Sequence, residues 1–129
     1  MSTPCGIAVK IAGKYRTIYC HWDGYPKYML PMLQDNYNTY ELATKLVSFG
    51  DASSIEPKLE PSPGSIHNFD ISEKGVCVFY HRDRRQAWIE TCPEDYPTRK
   101  DVTDQFYHAY IFEDDHWNYY CSAIPKYPT

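Results

Sequence analysis

No apolar run in the chain approaches the roughly 18 residues that a membrane-spanning helix needs, which excludes a helical integral membrane protein. Positive charge is in deficit. Lys and Arg number 13 against 17 Asp and Glu, a formal net charge of −4. That balance argues against a strongly basic coat for nucleic-acid backbones. The opening residues 1–10 lack the charged and long apolar regions of a secretory signal, so the protein is expected to act inside a cell. No Cys-x-x-Cys pair occurs, which removes the spacing of a zinc knuckle or a thioredoxin-like centre. No cofactor is implied. Cys5, Cys20, Cys77, Cys92 and Cys121 form an odd set. They are expected to be reduced thiols that pack as small apolar residues.

What is present is enough for a core. Hydrophobic residues make up 43% of the 129, which excludes wholesale disorder and fits a single domain over residues 1–129. Aromatic residues reach 16%, with 13 Tyr. Tyr joins an apolar ring to a polar tip, so this excess points to a surface that stacks on or grips a partner, or to a thin core built with Tyr in place of Leu. Charge is uneven. Residues 1–85 carry 10 basic and 9 acidic side chains, whereas residues 86–129 carry 3 and 8. Positive charge gathers at His81-Arg82-Asp83-Arg84-Arg85 and negative charge at Glu113-Asp114-Asp115.

Ile7, Val9 and Ile11 alternate with Ala8 and Lys10, which predicts a first strand. Gly13-Lys14 is the expected turn, and Tyr15 to Trp22 the second strand of an antiparallel hairpin. Alternation puts Ile18, Cys20 and Trp22 on one face and Thr17, Tyr19 and His21 on the other. A short helix is expected through Met29, Met32, Leu33 and Asn36, beginning or kinking at Pro31. Asn38 to Phe49 has the strongest helical spacing. Asn38 is the expected cap, Glu41 its partner, and Gly50 the left-handed residue beyond the end. Residues 51–72, with Pro57, Pro61, Pro63 and Gly64, predict an irregular Pro/Ser-rich loop. Gly75 to Tyr80 predicts a strand apolar on both faces and therefore central. Ala87-Trp88-Ile89 predicts a further short strand, and residues 99–107 a short helix. Tyr110 and its neighbours with Trp117 to Cys121 predict a hairpin with an acidic tip. Residues 125–129 are expected to be extended. The fold class is α+β: an antiparallel-rich sheet of four or five strands with two or three helices mainly on one face.

The run Ile18-Tyr19-Cys20-His21-Trp22-Asp23-Gly24-Tyr25-Pro26 resembles a signature, I-Y-C-H-W-D-G-Y-P, shared by small proteins encoded by phages and prophages. The resemblance continues through Asn36-Tyr37-Asn38, Gly50-Asp51-Ala52-Ser53-Ser54, Phe79-Tyr80-His81-Arg82-Asp83-Arg84, and Tyr110-Ile111-Phe112 with Trp117-Asn118-Tyr119. Thr3-Pro4-Cys5-Gly6 stands where that family carries a Gly-Thr-Arg-Ser-like run. The resemblance implies an accessory phage protein in the cytoplasm of the bacterial host. Small accessory proteins of this kind are often counter-defence factors that sequester nucleotide messengers or block defence proteins.

Three constellations could carry that function. The first joins Tyr19, His21, Trp22, Asp23 and Tyr25 at the end of strand two to Tyr80, Arg82, Arg84 and Arg85. Rings stack on bases and guanidinium groups grip phosphates, so convergence of the two stretches would suit a nucleotide-like or cyclic-nucleotide ligand. Its alternative is a surface Arg-Asp-Arg turn beside a core histidine. The second is acid–base or nuclease chemistry. His21 with Asp23, and His81 with Asp83, have the spacing that shares one face of a strand, and two His with two Asp would suit zinc or manganese. Catalysis is the minor reading, and no residue is assigned a catalytic role. The third is the acidic hairpin beside Trp117, Tyr119 and Tyr120, fit to bind a basic groove on a host defence protein in the manner of an anti-CRISPR inhibitor. The expected partners are therefore a nucleotide-like small molecule or a host defence protein, with a homo-oligomer as a further state, and no membrane or nucleic acid.

Overall fold

A computed structural model describes residues 2–122. The chain opens with β1 (Cys5–Ile11) and β2 (Lys14–Cys20), paired antiparallel from Cys5↔Cys20 to Ile11↔Lys14. Ala12 and Gly13 both lie at positive φ, 51° and 79°. That backbone matches the right-handed twist of the strands it joins. The turn thus falls one residue earlier than the sequence predicts, and β2 stops at Cys20 rather than Trp22.

Helix α1 (Pro26–Asn36) starts with Pro26, whose missing amide is harmless in a first turn. Pro31 sits inside it on the exposed side, and Met29 and Leu33 face the core. Helix α2 (Tyr40–Ser48) is capped by Thr39, whose hydroxyl accepts the Leu42 amide at 3.1 Å. The cap is therefore Thr39 and not Asn38. The reason is one of register: Thr39 has the extended backbone a cap requires, and its oxygen reaches the third residue on. Gly50 does lie in the left-handed region, at φ 83°.

Strand β3 (Ala52–Ser54) follows, then a loop that leads to β4 (Val78–Phe79). Helices α3 (Tyr80–Arg84) and α4 (Trp88–Thr91) come next, then β5 (Glu94–Tyr96). Helix α5 (Arg99–Gln105) opens on a capping box between Thr98 and Asp101. Strands β6 (His108–Glu113) and β7 (His116–Cys121) form the expected hairpin, with Asp114 and Asp115 at its turn. The predicted extension at 125–129 lies outside the described residues.

The sheet has seven strands in the order β4-β3-β2-β1-β6-β7, with β5 also paired to β2. It is mixed, not antiparallel-rich, because β1 pairs parallel to β6 and β2 parallel to β3. It also has more strands than the four or five expected; two of the extra ones, β3 and β5, are only three residues long. Alternation along β1 sorts the interior into two cores. Cys5, Ile7 and Val9 join Met29, Leu33, Leu46 and Val47 on the α1/α2 face. Ala8 joins Tyr15, Val102 and Phe106 on the α5 face. The described residues form five helices rather than two or three, and these are not mainly on one face: α1 and α2 cover one and α5 the other.

Two sequence expectations fail in the second half of the chain. The apolar run at residues 75–80 is an edge element of only two strand residues, not a central strand. It is buried because the α2 end covers it: the Phe49 and Phe79 rings stack with centroids 4.8 Å apart. Residues 87–89 enter α4 rather than a strand.

Candidate functional site

Strand β3 is the hinge of the candidate site. The His21 and Trp22 amides donate to the carbonyls of Ala52 and Ser53, and the Tyr80 amide donates to the carbonyl of Asp51. The two stretches singled out in the sequence are therefore held on either side of one short strand. Tyr19 borders one cleft, and Arg84 with Arg85 borders another.

The first cleft, about 470 Å³, opens where β3 and β5 part along the same edge of β2. Tyr19 lies in its floor, with Asp51, Glu94, Tyr96, Phe106 and Ile89 around it. The Tyr19 amide donates to Asp51 Oδ1 at 2.9 Å, so a carboxylate occupies the place of a strand partner. Burial pushes the Asp51 carboxyl up to about 6, against the pull of the Tyr19 amide and with help from the charge of Glu94. The Tyr19 hydroxyl and His21 Nδ1 lie 2.7 Å apart, and the His21 ring meets Trp22 edge-on with centroids 4.8 Å apart. Trp22 and Tyr25 are exposed, Asp23 is half-buried in the left-handed region at φ 58°, and the Tyr25 carbonyl accepts the amides of Tyr28 and Met29 at the start of α1. Gly24 is forced to be glycine by close packing: a Cβ there would sit 2.6 Å from the carbonyl oxygen of Thr3.

The second stretch divides by role. The guanidinium of Arg82 lies beside the stacked rings of Phe49 and Phe79, 5.2 and 5.1 Å from their centroids. It donates to the carbonyls of Leu59 at 2.6 Å and Cys77 at 2.9 Å, and from Nε to Asp83 at 2.9 Å. Asp83 in turn accepts the Phe79 amide at 2.8 Å and stands 3.4 Å from His67 Nε2. These bonds tie the long loop to α3, and they leave Arg82 turned to the interior. His67 Nδ1 accepts the Glu73 amide at 3.0 Å, which fixes the proton of the neutral ring on Nε2.

Arg84 and Arg85 face solvent instead. Arg84 lies over the Phe69 ring at 4.8 Å and near the Tyr80 ring at 5.9 Å. With Asn68, Phe69, Asp70, Ile71, Asp83 and Arg85 it borders a groove of about 490 Å³. Arg85 is the left-handed cap of α3, φ 61°, which turns it away from the helix axis toward that groove.

The His81-x-Asp83 spacing loses its shared face. Because α3 is a helix, His81 and Asp83 diverge: Asp83 is buried, while exposed His81 is bonded through Nδ1 to the Gln86 carbonyl at 2.9 Å. No group of three or more His, Cys, Asp or Glu with metal-binding geometry occurs among the described residues. The hairpin tip carries Asp114 and Asp115 exposed.

Sequence reasoning passed over Asp51, Phe69, Tyr96 and Phe106. Gly50-Asp51-Ala52-Ser53-Ser54 was visible as part of the resemblance, and it was the only signal for any of them. The others reach their clefts through contacts remote in sequence. No family model, curated protein or solved structure matches the chain. No helix among the described residues is long and apolar enough to cross a membrane.

Proposed function

We propose that this is a phage-encoded counter-defence protein that acts in the cytoplasm of the bacterial host by sequestering a nucleotide-like or cyclic-nucleotide signal. One observation carries the reading. Arg84 is stacked on Phe69, beside Tyr80 and Arg85, at the edge of a groove of small-molecule size. Stacking pre-orders the guanidinium, and its outward N–H groups remain available for phosphate oxygens. The exposed ring of Phe69, which lines that groove, offers a face for a base. The likeness of residues 18–26 to the phage signature supplies the biological setting.

The test is thermal unfolding with a panel of cyclic di- and trinucleotides and ADP-ribose derivatives. A ligand held at a hundred times its dissociation constant stabilises by about 2.7 kcal/mol, a rise of several degrees for a domain of this size. Arg84→Ala should abolish the rise. Absence of any shift across the panel overturns the reading.

A second reading follows from the hairpin. Asp114 and Asp115 project from a two-residue turn on the sheet's outer hairpin, where a basic groove on a host defence complex can reach them. A stoichiometric partner recovered from host lysate and lost on Asp114→Lys with Asp115→Lys supports it. A complex that survives both reversals removes the hairpin from the interface.

A further inference from the structure

Cys5, Cys20 and Cys77 are fully buried, and none of them lines the Tyr19 cleft or the Arg84 groove. All three belong to the core on the α1/α2 face of the sheet. Cys77 is held by local bonds: its sulfur accepts the Glu56 amide at 3.2 Å and stands 3.5 Å from the Tyr37 hydroxyl. Cys5 and Cys20 are placed differently. They face one another across the β1–β2 hairpin as the last rung of its antiparallel register. Directly opposed residues in such a pair have Cα atoms about 4.5–5.5 Å apart. That spacing lies inside the roughly 4.4–6.8 Å that a disulfide spans. Opposed residues also share a face of the sheet, and the shared core of Cys5 and Cys20 agrees with this. Burial, and then the Cys20 thiol beside it, push the Cys5 thiol well above its ordinary range.

The rung lies at the open end of the hairpin. Cys5 is the first residue of β1, Cys20 is the last of β2, and the pairing of β1 with β6 begins only at Gly6. Beyond the rung the Gly24 amide donates to the Thr3 carbonyl at 2.7 Å, which brackets the two chains. The sulfurs are thus kept opposed from both sides. Full burial and a raised thiol make the closed pair slow to react. Local opening of the segment before Gly6 admits a small oxidant and leaves the rest of the sheet in place.

We infer that Cys5 and Cys20 are a redox-responsive pair that closes to an intrachain disulfide under peroxide, across the open end of the first hairpin. One sulfur, as its thiolate, attacks a peroxide oxygen; the O–O bond breaks, water leaves and a sulfenic acid remains. The second sulfur attacks the first, and the hydroxyl departs as a second water while the S–S bond forms. The two thiols together lose two protons and two electrons, and one hydrogen peroxide becomes two waters. The cross-link removes the Cys20 proton, whose acceptor is the Trp22 carbonyl 3.5 Å from the sulfur. Oxidation therefore acts on the bend that follows β2. The inference goes beyond the nucleotide reading and does not depend on it.

The test uses the full chain carrying Cys92→Ser and Cys121→Ser, which replace the half-buried and the exposed cysteine and leave the three core ones. Folded protein is treated with hydrogen peroxide, quenched with catalase and labelled with N-ethylmaleimide in urea. The label count should fall from three to one, with the remaining label on Cys77, and dithiothreitol should restore all three. Trypsin separates the candidates, because Cys5, Cys20 and Cys77 fall on peptides 1–10, 17–27 and 75–82. The expected product joins 1–10 to 17–27, with the mass of two hydrogens lost. Cys20→Ala in the same background should keep both remaining labels. Three labels after peroxide, loss of label without the joined peptide, a bond to Cys77, or a cross-link that forms only in protein unfolded beforehand overturns the assignment.

Discussion

Asp51 Oδ1 accepts the Tyr19 amide at 2.9 Å, so a side chain closes the edge of β2 where a neighbouring strand would otherwise lie. The carboxyl is buried enough to be pushed up to about 6 from its ordinary 3.8. A folded-state value above the unfolded one means that the folded protein binds more protons between those two limits. Stability therefore falls as pH rises from about 4 to about 6 and levels off above that. A rise of that size is worth roughly 3 kcal/mol at most, and partial solvent screening brings this to about 1–2 kcal/mol. Urea unfolding of Asp51→Asn at pH 5 and pH 7.5 should show this contribution to the slope removed, with the variant gaining on the parent at the higher pH.

Arg82 should behave as part of the core and Arg84 as part of the surface, although only Asp83 separates them. Arg82→Ala strips the Leu59 and Cys77 carbonyls of a donor and leaves Asp83 without its charge partner, a loss of about 3 kcal/mol. Arg82→Lys should recover only part of it, since one ammonium cannot reproduce the planar fork that reaches two carbonyls and Asp83 at once. Arg84→Ala should change stability by less than about 1 kcal/mol. Chemical denaturation of the three variants separates the roles.

Gly6 lies directly under Phe106. A Cβ on residue 6 would overlap carbon atoms of that ring. Gly6→Ala should therefore cost about 1–3 kcal/mol by overpacking, and it should displace the aromatic wall of the Tyr19 cleft. A lower urea midpoint with retention of the folded circular-dichroism spectrum is the expected pairing.

The β6–β7 turn places Asp114 and Asp115 at φ 57° and 62°. Asn and Gly adopt that backbone more readily than Asp, and the charges repel one another. Replacing the pair with Asn-Gly should raise stability by about 0.5–1 kcal/mol, measured as a higher denaturant midpoint with unchanged slope.

What the sequence made legible was local. Alternation in Ile7-Val9-Ile11 and in Tyr110-Phe112 marked both hairpins, and the spacing of Leu42, Leu46 and Phe49 with Gly50 beyond marked α2. What it hid was non-local. Nothing in β1 or β6 taken singly announces that they pair in parallel, because that register is set by two hydrophobic faces that meet only when folded. The apolar run at residues 75–80 looked like a central strand since burial by a stacked Phe49 and burial by flanking strands leave the same signature. For the same reason the spacing of His81 and Asp83 reads as one face of a strand. Once Tyr80 begins a helix, Arg82 turns inward to carbonyls of the loop while Arg84 turns out. The aromatic excess served both readings at once: Tyr37 and Tyr110 are fully buried, while Trp22, Tyr25 and Tyr40 stand exposed.

The parallel pairing of residues 6–9 with residues 109–112 also governs how the molecule comes into being. During synthesis the first hairpin emerges with one flank of its inner strand unclaimed, and the segment that completes it leaves the ribosome 103 residues later, the separation of Gly6 from its partner Ala109. Contacts of such long span make for slow collapse and a vulnerable nascent state. A premature stop anywhere before β6 would thus yield a fragment with an exposed sticky flank, prey for proteases and for self-association, rather than a smaller working protein.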